Sequence, residues 1–335
     1  MKKGFTLIEL VMVIVILGII SMFGADLYSQ IYKSYLHTRA LNQLESRTQN
    51  AITLISNRLE YRIYGSVIGR EAGKPITDFI NLAGISKDHD IIEWIGQSIE
   101  TKNINNSNPG WSGFVDMSSI SNPFNDADNK ANSILSQGSS LNSVSNIIDK
   151  LTCVNKSNCA TGRYNDFVII FTYLANDYDG VNIDGAYGYN GTGNNSDRVY
   201  VASATVGNND DENLTITNYP TRLDNVGATV REFSDQYYLA HSAYAIYPTG
   251  TQVVNYGGKA GKNFNLTLAY NYRPWAGERY SDATTQKVLL AEDVFMFRFR
   301  DDNGAVEMKL CMRDNGRNFD PNQLDMIMCK SQVVY

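Results

Sequence analysis

Histidine is scarce in this chain: there are three among 335 residues, and no nucleophile motif adjoins any of them. The Gly-Trp-Ser-Gly stretch at 110–113 misses the G-x-S-x-G turn of serine hydrolases by one residue. The glycine-rich stretch at 257–263 lacks both the glycine spacing and the Ser or Thr of a phosphate-binding loop. The sequence therefore predicts no enzymatic activity.

An excess of positive charge is also missing. The 29 Lys and Arg residues are outnumbered by 35 Asp and Glu residues, which leaves a net charge of -6. Proteins that bind nucleic acid usually present a basic face or stripe, so nucleic acid is not an expected partner. The length of 335 residues is enough for one large domain or two modest ones.

The N-terminus holds a long apolar run from Phe5 to Gly24, in which Glu9 is the one ionisable residue. A helix needs about 20 apolar residues to cross a bilayer. Lys2 and Lys3 precede the run and no basic cluster follows it directly. The positive-inside bias therefore places the N-terminus in the cytoplasm and the rest of the chain on the far side of the membrane.

Two ordinary explanations of this run are incomplete. A cleaved secretory signal has a shorter apolar region and ends at a small-x-small site, whereas Phe23 occupies the place that should be small before a cut after Ala25. A plain signal anchor leaves Glu9 unexplained, because a charge at a helix centre costs roughly 2.5 to 3.5 kcal/mol on insertion scales. The sequence therefore predicts that Glu9 meets a cation.

The hexapeptide from Gly4 to Glu9, Gly-Phe-Thr-Leu-Ile-Glu, resembles the type III signal of the type IV filament superfamily, which holds type IV pilins and the pseudopilins of type II secretion and competence. The resemblance implies that a prepilin peptidase cleaves between Gly4 and Phe5 and methylates Phe5. It also implies that Glu9 pairs with the Phe5 amine of a neighbouring subunit when filaments assemble. A buried pair of this kind specifies register even where it adds little net stability.

The four cysteines lie beyond the predicted span, in an oxidising compartment where an even count indicates disulfides. They are Cys153, Cys159, Cys311 and Cys329. Three pairings are possible, and proximity favours the first with the second and the third with the fourth. The alternative, a zinc site with four thiolates, lacks the close Cys-x-x-Cys pairs that such sites use.

The apolar pattern predicts that one helix continues past the membrane and that a variable segment follows it. Apolar residues recur mostly at three- and four-residue spacing between Leu27 and Ile63, including Ile31 and Tyr35, and no proline occurs before Pro75. Within 101–150, Asn and Ser fill 21 of 50 positions, which indicates a loop-rich insert. Trp94 and Trp111 are expected to form a small satellite core there.

From residue 166 onward, stretches rich in β-branched and aromatic residues alternate with Gly, Asn and Asp, which predicts strands. The turn sequence at 301–304 predicts a hairpin between the strands on either side of it. The expected fold class is α+β, with a long N-terminal helix packed on an antiparallel sheet. The predicted division is a leader at 1–4, a transmembrane helix at 5–25, its periplasmic continuation at 26–64, the insert at 65–165 and a β-rich head with a disulfide region at 166–335.

This order of segments is similar to that of the larger minor pseudopilins of J type and the minor pilins of W type. Glu9 favours them over the K type, which generally lacks that glutamate, and Asp26 stands where many pilins have a proline. The resemblance implies a structural subunit that initiates or caps a filament, with other pilins, the prepilin peptidase and an inner-membrane assembly platform as partners. The alternative is a tip adhesin or a DNA-uptake subunit. The expected location is the bacterial inner membrane, and after assembly a surface filament or pseudopilus.

One loop offers ligands for a metal ion. The segment 176–184 carries Asp177, Asp179 and Asp184 around a glycine, and such oxygen-rich loops suit Ca²⁺. The segment does not fit the EF-hand frame, and a solvated acidic turn is the alternative. A weaker acidic cluster occurs at 209–212, and no other cofactor is expected.

Overall fold

The computed structural model describes residues 6–104, 109–119, 132–153, 167–172, 187–191, 201–206, 211–218, 221–223, 229–231, 234–256, 259–314 and 326–335. A single long helix, α1 (Leu7–Leu59), precedes a head that consists mainly of antiparallel strands. The predicted α+β fold class, a long apolar helix on an antiparallel sheet, is confirmed.

Helix α1 has 53 residues, which corresponds to a rod of about 80 Å at the standard rise per residue. Its buried face begins at Leu44 and recurs at three- and four-residue spacing as far as Leu59. The apolar residues that recur between Leu27 and Ile63 therefore contact the core only in the upper part of α1, from Leu44 onward. Leu27, Ile31 and Tyr35 are exposed. In the described part of the chain, the head buries helix side chains only from Leu44 onward.

The main sheet has eight strands, all paired antiparallel. In spatial order they are β15 (Ile327–Val334), β14 (Ala305–Arg313), β13 (Gln286–Asp302), β12 (Lys259–Tyr272), β11 (Ser242–Tyr256), β3 (Ile91–Gly96), β1 (Ile68–Arg70) and β2 (Ile80–Asn81). Strands β3, β13, β14 and β15 contact α1. Helix α1 therefore packs against strands from both the early and the late parts of the chain.

A second antiparallel sheet of five strands carries helix α2 (Leu141–Thr152). In spatial order its strands are β10 (Tyr237–Ala240), β5 (Phe167–Phe171), β6 (Val201–Val206), β7 (Asn213–Asn218) and β4 (Asn132–Leu135). A separate hairpin pairs β8 (Thr221–Leu223) with β9 (Thr229–Arg231). The acidic residues Asp211 and Glu212, predicted as a weak metal cluster, accept hydrogen bonds from backbone N–H groups at the start of α2 and just before it.

Three apolar clusters join these layers. The first lies between α1 and the main sheet and includes Ile55 and Phe297. The second lies between α2 and the second sheet and includes Ile148 and Ile169. The third joins the two sheets through residues such as Ile170. Strand β5 is apolar at every position because its successive side chains enter different clusters on its two faces.

A buried ion pair fixes β1 to β3 inside the head. Arg70 Nε lies 2.7 Å from Glu93 Oε2, and the two side chains are 3% and 2% exposed. Tyr272 donates its hydroxyl to Glu93 Oε1 at 2.8 Å, and Arg70 Nη2 donates to the backbone oxygen of Tyr189 at 2.9 Å. Burial, with a further contribution from the Glu93 carboxylate, raises the pKa of Tyr272 well above its ordinary value, so the phenol remains a donor.

The structure differs from the sequence prediction in the segment assigned to an insert. Strands β1 to β3, within 68–96, belong to the main sheet, and residues from 132 onward build part of the second sheet. The expectation of a satellite core of Trp94 and Trp111 is wrong. Trp94 lies in the cluster beneath α1, whereas Trp111 lies in the α2 cluster, because Trp94 belongs to β3 of the main sheet and Trp111 lies in a connecting segment outside it.

The C-terminal part of the head follows the local sequence signals closely. The hairpin predicted at 301–304 joins β13 and β14, with Asn303 and Gly304 at positive φ as a type I′ turn requires. Cys311 and Cys329 face each other across β14 and β15 and form a disulfide. Cys153, at the end of α2, is also disulfide-bonded. Cys159 lies outside the described residues, so the pair Cys153–Cys159 stays a prediction.

Candidate functional site: the N-terminal helix

Helix α1 begins with a polar arrangement that includes the predicted acidic residue. Thr6 has an extended backbone and precedes the first turn. Glu9 Oε2 accepts hydrogen bonds from the Thr6 backbone N–H at 3.0 Å and from the Thr6 hydroxyl at 2.9 Å. This carboxylate lies in the first turn, where the helix dipole favours negative charge. Within the part of the chain that the structure describes, no cation lies within ion-pair distance of it.

The first half of α1 contacts no other part of the described chain closely enough to bury a side chain. Every residue from 7 to 35 is exposed, including Leu7 at 82% and Ile8 at 74%. This segment is about 45 Å long at the standard helical rise. Among the described residues, α1 is the one helix that is long and apolar enough to cross a membrane, judged by length and composition.

Tyrosines follow the apolar run on α1. Tyr28, Tyr32 and Tyr35 are exposed, and the first two stack with their ring centroids 6.4 Å apart. Their spacing of four and three residues places them on one face of the helix. Tyrosine is enriched where a membrane meets water, because its ring is apolar and its hydroxyl is polar. This stripe, just beyond the apolar run, therefore suits a boundary between membrane and water.

The upper part of α1 is held to the head by charged groups as well as by its apolar face. Arg62, just beyond the helix, donates to the backbone oxygens of Leu59 and Tyr335, each at 3.1 Å. Lys330 Nζ on β15 lies 2.9 Å from Glu45 Oε1 on the helix. These contacts tie the helix to the last strand, so the exposed half of α1 projects from a fixed base.

The structure describes only some of the predicted site residues. Gly4 and Phe5 lie outside the described residues, as do the calcium candidates Asp177, Asp179 and Asp184. Glu9 is placed in the first turn of α1. In the described ranges, no group of three or more His, Cys, Asp or Glu side chains is arranged to hold a metal ion.

Sequence reasoning missed a contact at the junction between the two sheets. His241 lies between β10 and β11, and its Nδ1 is 2.7 Å from the Ser98 hydroxyl oxygen, although 143 residues separate the two. Burial lowers the pKa of His241 to about 4, so its ring is neutral at pH 7. Both side chains are buried, and the pair contributes to packing where the chain passes from one sheet to the other. No local sequence pattern predicts a contact between residues so far apart in the chain.

Comparison with known protein families gives a match at the beginning of the chain. Residues 1–25 match the family described as the prokaryotic N-terminal methylation motif. No curated protein and no solved structure matches the chain. The motif implies processing by a peptidase and assembly with other pilins through the N-terminal helix, and proteins that carry it in this family are structural. This match supports the predicted resemblance to type IV pilins and pseudopilins over residues 1–25.

Proposed function

We propose that the protein is a minor pilin or pseudopilin that enters a type IV pilus or a type II secretion pseudopilus at or near its tip. The observation that carries this proposal is the exposed apolar half of α1, which begins with the Glu9 carboxylate. An exposed apolar surface of this length indicates contact with a membrane or with another protein. The membrane covers it before assembly, and the helices of neighbouring subunits cover it in the filament.

The same proposal assigns the topology and the processing. Lys2 and Lys3 hold the N-terminus in the cytoplasm, and the head lies in the periplasm, where disulfides form. A prepilin peptidase cuts between Gly4 and Phe5 and methylates the new amine. Glu9 then accepts the Phe5 ammonium of a neighbour, and the two Thr6 donors hold the carboxylate at the start of the helix.

The bulk of the head supports a place at the filament tip. The head consists mainly of two sheets and a second helix, and it is attached to the upper part of α1. A repeated subunit must pack such a head beside every neighbour along the filament, whereas a tip subunit has neighbours on one side only. If this is correct, immunogold labelling of the head marks filament ends; label at regular intervals along the length contradicts the tip position.

Processing is tested directly by mass spectrometry of the membrane-extracted protein. We expect the mature chain to begin with N-methylated Phe5, because the motif places the cut after Gly4. The variant Gly4→Leu is expected to retain residues 1–4. The matched control Gly24→Ala is expected to be cut normally, since the added methyl group meets nothing within 4 Å outside the adjoining helix backbone. A mature chain that starts at Met1 or near Asp26 overturns the proposal.

A further inference from the structure

Strands β12 and β13 separate at one end of the main sheet. Their ladder ends at the pair Phe264–Val294. Beyond that point β12 remains paired with β11, for example through Lys262 and Val253, while β13 remains paired with β14. The gap between the two pairs of strands is a cavity of about 450 Å³, here called the β12–β13 cleft. This volume is within the range of about 300–1,000 Å³ that is typical of ligand pockets.

The apolar part of the cleft is mostly aromatic. Phe264 lines it from β12, and Phe295, Met296 and Phe297 line it from β13. A register irregularity between Val294 and Met296 leaves Phe295 without an opposite residue on β14. The guanidinium carbon of Arg313 lies 4.2 Å from the centre of the Phe295 ring. The ring is therefore held in place as a wall of the cleft.

The charged side chains that line the cleft are Lys262, Arg298 and one acid, Asp90. Arg298 lines the cleft and faces Lys309 directly across β13 and β14, and both are exposed. Like charges in directly opposite positions destabilise a sheet. The next cross-strand pair, Arg300 with Glu307, shows the usual opposite charges and forms an ion pair.

Lys262 adds a further positive charge from the β12 side of the cleft. Across the described ranges, Lys262, Arg298 and Lys309 form no ion pair. The acidic residue in the lining, Asp90, accepts a hydrogen bond from the Ala72 backbone N–H at 2.8 Å. The two positive side chains outnumber the one acid in the lining, and this local excess of positive charge in a chain of net charge -6 favours an anionic ligand.

The backbone of β13 offers hydrogen bonds inside the cleft. Residues 296–298 pair with β14 on one side, but the pairing of β13 with β12 has already ended at Val294. In a strand, the N–H and C=O groups alternate between the two sides. The groups that point towards β12 are therefore free of ladder partners along this short stretch. An extended peptide recognises such an edge by adding to it as a further strand.

We propose that the β12–β13 cleft binds a short, extended, acidic peptide segment. The peptide backbone adds to β13 at residues 295–298. Its apolar side chains contact Phe264 and Phe295, and its carboxylates contact Arg298 and Lys262. This site lies in the head, and its existence does not depend on whether the protein occupies a filament tip.

The experiment uses the full chain in zwitterionic detergent and a fluorescein-labelled peptide of sequence Glu-Val-Glu-Val-Glu. We expect binding by fluorescence anisotropy at low salt and weaker binding at high salt. The variant Arg298→Glu is expected to weaken binding by about tenfold or more, because it replaces attraction with repulsion. The charge-reversal control Lys150→Glu, on α2, is expected to bind as the parent does. Its neighbour Leu151 contacts Asn271, at the opposite end of β12.

Three results overturn the proposal. The first is equal affinity for a Lys-Val-Lys-Val-Lys peptide, since charge then plays no part in recognition. The second is an unchanged affinity of Arg298→Glu for the acidic peptide. Arg298 is exposed, and a circular dichroism spectrum that matches the parent shows that this variant is folded. The third is binding of a thymidine decamer that depends on Arg298 while the acidic peptide does not bind. Added protection of residues 295–298 in hydrogen exchange with the acidic peptide supports strand addition.

Discussion

Glu9→Gln is expected to enter the membrane normally and to be lost from filaments. Glutamine keeps an oxygen that the Thr6 N–H and hydroxyl groups can donate to, so the start of α1 is preserved. It removes the charge, however, and leaves the Phe5 ammonium of the neighbouring subunit without its partner. Leaving a charge unpaired in hydrocarbon costs roughly 2.5 to 3.5 kcal/mol, which corresponds to about a hundredfold loss in the assembly constant.

Membrane extracts and sheared filaments provide the measurement for this variant. The amount of protein in the membrane should equal or exceed that of the parent, since removing a charge from an apolar helix favours insertion. The amount in the filament fraction should fall about a hundredfold. Asp26→Asn is the matched control, because it removes an acid from the same helix outside the apolar run. Normal assembly of Glu9→Gln shows that Glu9 serves only the helix start and not the contact between subunits.

Arg70→Met is expected to produce the largest loss of stability in the head. The substitution leaves Glu93 buried at 2% exposure without its cation. Removing one partner of a buried ion pair typically costs about 3–5 kcal/mol. It also removes the guanidinium donor to the Tyr189 backbone oxygen, so the turn at 187–191 loses a tie to β1. The remaining Tyr272 hydroxyl bond to Glu93 does not replace the lost charge.

Urea unfolding of the full chain in detergent, followed by tryptophan fluorescence, measures this loss. Arg300→Met is the matched control: its partner Glu307 lies on a neighbouring strand, and the arginine side chain is 71% exposed. Exposed pairs contribute about 0–1 kcal/mol. The double variant Arg70→Met with Glu93→Leu should recover part of the stability, because no charge remains buried. Equal losses for Arg70→Met and Arg300→Met contradict the expectation.

The hairpin between β13 and β14 shows what local sequence can predict. An Asn-Gly pair supplies two consecutive residues at positive φ, and the alternating residues on either side give each strand one buried face. The same holds for the disulfide that follows, since Cys311 and Cys329 are 18 residues apart and face each other across the antiparallel strands β14 and β15. Local pattern and tertiary structure agree here because the interactions are short in sequence.

The segment 65–165 shows where local pattern is insufficient. The high Asn and Ser content at 101–150 indicates loops, and just before that stretch β3 is buried at every position between β1 and β11. Strand β11 pairs with β3 from a position about 150 residues later in the chain. Sequence periodicity reports which face of an element is apolar, but not which distant element will cover it. That choice depends on the packing of all layers together.

The sequence by itself determined a helix long and apolar enough to cross a membrane, the acidic residue at its start, the methylation motif and the antiparallel character of the head. Each of these follows from apolar run length, from residue spacing or from turn chemistry within about 20 residues. Only the tertiary structure decided the two-sheet head, the placement of Trp94 beneath α1, the Ser98–His241 contact and the cleft between β12 and β13. These features join residues that lie far apart in the chain, and their positions depend on burying several apolar faces at the same time.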